Sequence, residues 1–203
     1  MRVVLALLWL CLTVAVAAAD PSPRDRIAPL ILPPFALGEA LDDKGVYSLL
    51  NSGGAEAGYV FETGPLAPLP GFSGGPINML VVLDLQGTFI DMRLLDHNEP
   101  IFVSGLGEAP FLKFLEQYRG HSINEPLVVG NPYGEGSGTD LVYLDGVTKA
   151  TASVRIAHES ILAATLAVAR ERMKGIQSAP PARPDPTVDE TLIWDDLVTQ
   201  GIA

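Results

Sequence analysis

The chain has 203 residues, 48% of them hydrophobic and 18% charged, and its 24 acidic against 13 basic residues leave a formal charge of −11. That balance excludes a nucleic-acid binder, which needs a basic face to displace counterions from phosphates. It also excludes a binder of anionic lipid surfaces that works by charge. The length suits one domain with or without an appendage, and the apolar content is too high for disorder throughout.

Residues 1–19 (MRVVLALLWLCLTVAVAAA) combine a basic start at Arg2, an apolar run from Val3 to Val16 and small residues before Asp20. This is the pattern of a cleaved signal peptide, and the run is short for a membrane span of roughly 20 residues. Cys11, the only cysteine, lies inside it. The exported part therefore has no means of forming a disulfide, a thiolate metal site or an iron–sulfur cluster.

Residues 20–176 read as one domain with its core at 59–175. Asp20 to Pro34 holds five prolines and is predicted to be an extended arm. Ala36 to Leu50 is predicted to hold a short helix, with Leu37, Leu41 and Leu49 as its apolar contacts. Tyr59 to Thr63 reads as a strand, and Pro68 to Pro76 as a loop rich in turn residues. Ile77 to Leu85 is the clearest strand, Gln86-Gly87 a hairpin turn and Thr88 to Leu95 its partner. Alternation of Phe89, Asp91 and Arg93 with Ile90, Met92 and Leu94 predicts one buried and one wet face. Phe111 to Tyr118 reads as a helix closed by Gly120, with Phe111, Leu112, Leu115 and Tyr118 on one side. Leu127 to Val129 and Leu141 to Asp145 are short strands around a glycine-rich loop at 130–139. Ser153 to Lys174 is the longest helix, with Val154, Ala157, Ile161, Ala164, Thr165 and Val168 in a stripe and Gly175 as cap. Strands and helices mix without a βαβ rhythm, which predicts an α+β fold with an antiparallel sheet. Residues 177–190 hold four prolines and read as a semi-rigid linker. Residues 191–203, with Leu192, Ile193, Trp194, Leu197 and Val198 at helical spacing, read as the start of a following region.

Chemistry concentrates in Asp145-Gly146-Val147-Thr148-Lys149-Ala150-Thr151-Ala152-Ser153, between a strand and the start of the long helix. Unsatisfied N–H groups and the positive end of the helix dipole favour a phosphate there. An ordinary cap by Thr151 or Ser153 fits the same position. Other groupings carry less. The three histidines, His97, His121 and His158, are scattered and make no ligand set. Ser73 precedes a strand, whereas a hydrolase nucleophile sits between strand and helix. Gly134 to Gly138 lacks the following helix of a dinucleotide fingerprint.

Asp145-Gly-Val-Thr-Lys-Ala-Thr151 resembles the flavin-attachment motif of the FMN-binding domain family, Asp-Gly-x-Ser/Thr-Gly-Ala-Thr before a helix. Two further segments, in the same order along the chain, resemble the NosR/NirI-like branch of that family. They are Gly71-Phe72-Ser73-Gly74-Gly75-Pro76-Ile77, ahead of an apolar strand, and Leu95-Asp-His97-Asn-Glu99-Pro100-Ile101. Glu116 to Gly120 and Trp194 to Gly201 are similar to further parts of that branch. A related domain occurs in NqrC/RnfG-type subunits. The resemblance implies FMN attached through a phosphoester to the Thr151 side chain. It implies cofactor contacts from Asp145, Gly146, Thr148, Lys149, Ala150 and Ser153, and from Phe72, Gly74, Pro76, His97 and Glu99 near the ring. By their own residue types, His97 and Glu99 fit equally well in a polar loop after a hairpin. Lys149 stands where the family has Gly, so either its φ is negative or the turn is strained by about 1 kcal/mol or more.

The resemblance further implies a separate flavin transferase using FAD and Mg²⁺, a periplasmic location and a periplasmic redox partner or reductase of nitrous oxide or nitrite reduction. Thr151 would be the oxygen that is modified and no residue catalytic, so the domain is an electron carrier more than a stand-alone catalyst. Members of this branch continue into membrane and iron–sulfur regions, so this chain is expected to be a truncated piece or a short relative, with any membrane link supplied by the C-terminal region it lacks. The other expectation is a flavin-free sensory or regulatory interaction domain of the same fold.

Overall fold

The computed structural model describes residues 22–130 and 141–173. The signal peptide, most of the glycine-rich loop, the Gly175 cap, the linker and the Trp194 segment all lie outside the described residues.

Five strands follow one another as an antiparallel meander: β1 (Ala36–Ala40), β2 (Tyr47–Leu50), β3 (Glu56–Glu62), β4 (Asn78–Asp84) and β5 (Phe89–Asp96). With the helices that cover it, this sheet makes the fold α+β. One face packs on the long helix α5 (Thr151–Arg172), on α2 (Thr63–Leu66) and on α4 (Ala109–Glu116). Phe61, Met79, Val81 and Leu83 meet Val154, Ala157, Ile161 and Ala164 in that core. The small side chains in the buried stripe of α5 let the helix lie close to the sheet. The other face is covered by the N-terminal segment, where Ile27 sits with Tyr47, Leu49, Val60, Leu80 and Val82. Burial on both faces explains why Met79 to Val82 read as a continuous apolar run.

Two N-terminal expectations are corrected. The proline-rich arm contains a helix, α1 (Pro23–Ile27), then a 3₁₀ turn (Ala28–Leu30). Ser22 and Asp25 form a reciprocal capping box, and Pro23 takes the first helical position, where its missing N–H costs nothing. Arg26 then reaches Glu62 at 3.3 Å, tying the arm to β3. The helix expected within 36–50 is the β1–β2 hairpin. The deciding element is its turn. Asp42 Oδ1 accepts from the N–H groups of Lys44 and Val46, each at 3.0 Å, and Gly45 takes φ 85°. The leucine spacing that suggested a helix belongs to two strands in register, with Leu37 opposite Leu49.

The predicted β4–β5 hairpin forms, but its face alternation does not hold. A register shift sets Leu83 opposite Phe89 and Val82 opposite Asp91, so Ile90 is the extra residue of a bulge. Phe89 and Met92 therefore share the helix-side core, while Ile90 packs against the opposite cluster. On α4 the buried residues are Phe111, Phe114 and Leu115, whereas Leu112 is exposed. Gly120, at φ 86°, ends the following turn. A separate pair of strands, β6 (Leu127–Val129) and β7 (Val142–Leu144), is parallel, so the antiparallel expectation applies to the main sheet alone.

Between β5 and α4 lies α3 (Pro100–Val103). The rings of Phe102, Phe111, Phe114 and Tyr118 run in sequence at centroid spacings of 4.9, 6.0 and 5.6 Å. This aromatic row seats α3 and α4 against the sheet and sets the position of the segment before α5.

Candidate functional site

The site is built where β7 hands over to α5. Gln117, just after α4, grips the first residue of the connection: Asp145 N–H donates to its Oε1 at 2.7 Å and its Nε2 donates to the Asp145 carbonyl at 3.0 Å. Val147 then turns into the core, and Ala150 N–H donates to its carbonyl at 3.0 Å. Lys149, third in this four-residue turn, has φ 70° and is the single non-glycine residue with positive φ among those described. A turn of this kind demands that conformation at that place, which is why Gly is the usual occupant. The choice left open by the sequence is thereby decided for the strained conformer.

Val147, Ala150, Val154 and Ala157 are buried, so the helical period puts Thr148, Lys149, Thr151, Ala152 and Arg155 outside, and all five are exposed. The α5 start has no side-chain cap. Thr151 is its first residue, and its hydroxyl is not spent on capping. Ser153, the other predicted cap, is buried and donates instead to Glu99 Oε2. The first N–H groups of the helix, without acceptors four residues back, remain for an external acceptor.

Two clefts flank this turn. One, of about 400 Å³, is lined by Phe72, Pro100, Ile101, Ala150, Ala152 and Ser153, with Lys149 at its edge. The other, of about 350 Å³, is lined by Val129, Gly130, Gly146, Thr148, Thr151 and Arg155. Both volumes suit a small-molecule site. The first is apolar in character, and the Phe72 ring beside it is 74% exposed. Phe72 stands at the tip of a closed loop: Gly71 N–H donates to the Gly75 carbonyl at 2.7 Å, Gly74 has φ 86°, and Pro70 bridges to Pro76. Lys149 and Arg155 make no ion pair among the described residues, so an acidic chain keeps two cations beside Thr151.

Neither His97 nor Glu99 lines either cleft; His97 borders a separate groove between β5 and α4. Both are buried. His97 packs edge-on to Phe102 at 5.8 Å, accepts from Glu99 N–H at Nδ1 (3.1 Å) and meets Glu108 at Nε2 (3.2 Å). Glu99 Oε1 accepts from Ser73 N–H at 3.1 Å. Burial pushes the Glu99 carboxyl pKa up, but hydrogen bonds from Ser153, Ser73 and Phe72 outweigh it and hold the group below the usual carboxylate value. The structure thus brings Phe72, Lys149, Ala150 and Ser153 around one cleft and Gly146, Thr148 and Thr151 around the other. Asp145 is exposed at the rim of a neighbouring groove, and Gly74 and Pro76 shape the Phe72 loop without lining either cleft. Gln117 and Arg155 were missed by motif reading. The basic residue one turn after Thr151 is the signal that would have found Arg155. No grouping of three metal-ligating side chains occurs among the described residues.

Fold and site together define an α+β domain whose long helix starts uncapped at an exposed threonine, between an apolar cleft and a cleft edged by a cation. No family model matches the chain. It is similar to Regulatory protein NosR of Pseudomonas aeruginosa, 32% identical over 201 residues that cover 95% of this chain and 27% of that protein. Against Regulatory protein NosR of Stutzerimonas stutzeri it is 31% identical over 157 residues, 75% of this chain and 21% of the relative. Protein NirI of Paracoccus denitrificans is 27% identical over 148 residues, covering 73% of this chain and 20% of that protein. The chain is NosR/NirI-like over most of its length and spans between a fifth and about a quarter of these relatives.

Proposed function

We propose that this chain is an exported flavin-carrying domain of a NosR/NirI-type system, with FMN joined covalently to Thr151 Oγ, passing electrons to a periplasmic reductase of denitrification. The observation that carries the reading is the Thr151 hydroxyl, exposed and free of any capping role at the start of α5. The residues present fit the group. An apolar cleft with the exposed Phe72 ring offers stacking for a flat heterocycle. The uncapped helix start, Lys149 and Arg155 offer donors and positive charge to a phosphodiester.

Thr151 would enter as nucleophile towards FAD held by a transferase. In that step the Thr151 O–P bond would form as the pyrophosphate P–O–P bond of FAD broke, with AMP leaving and the hydroxyl proton passing to a base of the transferase. Bound flavin supplies reversible one- and two-electron chemistry. The chain's own part would be to hold the phosphate at the helix start and to seat the ring against Phe72.

The test is co-expression with a flavin transferase, export included. Wild-type protein is expected to stay yellow through denaturation, with an intact mass raised by FMN less water, and Thr151→Val is expected to carry neither. Release of all flavin from denatured wild type would overturn the reading. A second reading, a flavin-free regulatory domain that binds a partner, draws on the printed name of the NosR relatives. It predicts a colourless protein under the same conditions.

A further inference from the structure

Three elements carry the wall of the apolar cleft: the Gly71–Gly75 loop with Phe72, α3 with Pro100 and Ile101, and the start of α5 with Ala150 to Ser153. They meet at one residue. Glu99 is fully buried. Its Oε1 accepts from Ser73 N–H in the loop, and its Oε2 accepts from Ser153 Oγ in α5. Its carbonyl accepts from the N–H groups of Phe102 and Val103, both at 3.0 Å, and so starts α3. Its own N–H is held by His97 Nδ1 at 3.1 Å. The loop also closes on the carboxylate so tightly that a Cβ on Gly71 would overlap Oε1. Among the described residues no Lys or Arg pairs with Glu99. A buried charge satisfied only by neutral donors is a costly choice for a core. Its return is a fixed geometry among three separate segments.

We propose that Glu99 is the positioning residue of the flavin cleft, holding the Phe72 loop against the start of α5 so that the ring of the cofactor packs on Phe72. This rests on the covalent-flavin reading for its second half. Its first half concerns the unloaded protein alone. Glu99 does not touch the cofactor; it acts through Phe72 and Ser153.

The experiment uses the full exported chain as wild type, Glu99→Gln, Phe72→Ala and the double variant. In unloaded protein, amide exchange at Ser73 is read by NMR. Glu99→Gln is expected to speed it by about tenfold, as loss of one charge-assisted hydrogen bond implies. In protein loaded with FAD and transferase, quenching of the attached flavin's fluorescence by added potassium iodide is read, with covalent occupancy scored separately after denaturation. Both single variants are expected to be quenched by iodide several-fold more strongly, and the double variant no more strongly than either, since both act through one contact. Unchanged Ser73 exchange, or additive effects in the double variant, overturns the proposal. If wild type binds no covalent flavin, the attachment reading falls while the exchange result still decides the role of Glu99. If Glu99→Gln does not fold, Ser153→Ala decides: a flavin more readily quenched by iodide supports the proposal, and wild-type quenching overturns it.

Discussion

Lys149 holds a left-handed backbone, φ 70°, at a turn that must redirect the chain from β7 into α5. For a residue with a Cβ that conformation costs about 1–2 kcal/mol, more than the roughly 0.5–1 kcal/mol of extra chain entropy a glycine loses. Lys149→Gly is therefore expected to raise stability by about 0.5 kcal/mol, a small upward shift in melting temperature. A strained residue kept at a proposed anion site points to its ammonium group as the compensating gain. Lys149→Glu is accordingly expected to slow flavin incorporation, measured as initial rate with purified transferase and FAD, while Lys149→Gly incorporates at least as fast as wild type. Equal rates for the Glu and Lys forms would show that the side chain points away from the reacting phosphate. Thr151 and Lys149 were legible in the sequence because a local turn and a helix start depend on neighbours in the chain. The burial of Glu99 was not, because its partners Ser73 and Ser153 stand 26 and 54 residues away.

At the scale of elements, the turn after α4 is joined to α5 through a buried polar pair. The Tyr118 hydroxyl donates to His158 Nδ1 at 2.6 Å, and His158 Nε2 donates to the Leu127 carbonyl at 3.2 Å. That assignment requires a neutral imidazole protonated at Nε2. Burial lowers the His158 pKa below the usual 6.5, only partly offset by the Leu127 carbonyl and the charge of Glu159. Burial also pushes the Tyr118 phenol far up, which keeps it a donor. The unfolded chain therefore takes up a proton near pH 6.5 that the folded chain refuses until lower pH, so stability is full above that value and declines below it. Melting temperatures between pH 7.5 and 5.5 are expected to fall in wild type. They are expected to fall less in His158→Gln, whose amide accepts from Tyr118 and donates to Leu127 without titrating. A slope as steep in His158→Gln would remove His158 as the cause. Helical periodicity placed His158 one turn beyond Val154, but only the seating of Tyr118, in the turn after α4, against α5 made it a buried acceptor. The same holds for Leu112 and Phe114, whose exposure was decided by where α4 meets β5.

For the whole molecule, a charge of −11 spread over 203 residues makes self-repulsion a general term against the folded state. The half-buried Arg172–Asp42 pair at 3.0 Å opposes it locally, whereas pairs with an exposed partner, such as Arg119–Asp91 at 2.5 Å, are individually worth little. Raising salt from about 10 to 200 mM shortens the screening length to below about 10 Å and is expected to raise the melting temperature by a few degrees; a fall would mean that the ion pairs dominate. Among the described residues, α5 is also the one helix long and apolar enough to cross a bilayer, and over half of that apolar window is buried in the fold. Its contact with the sheet accounts for its composition. By itself the sequence determined the β4–β5 hairpin, the α4 and α5 helices, the turn that presents Thr151 and the resemblance to the NosR/NirI-like branch, because all of these rest on local periodicity, turn chemistry or ordered motifs. The 36–50 hairpin follows from the local Asp42–Gly45 turn, which the leucine spacing obscured, whereas tertiary structure alone decided that a bulge at Ile90 sends Phe89 and Met92 to one face and that Glu99 joins three segments. Each of those last two outcomes depends on which distant backbone supplies the hydrogen-bond partner, and no local pattern in the chain encodes that choice.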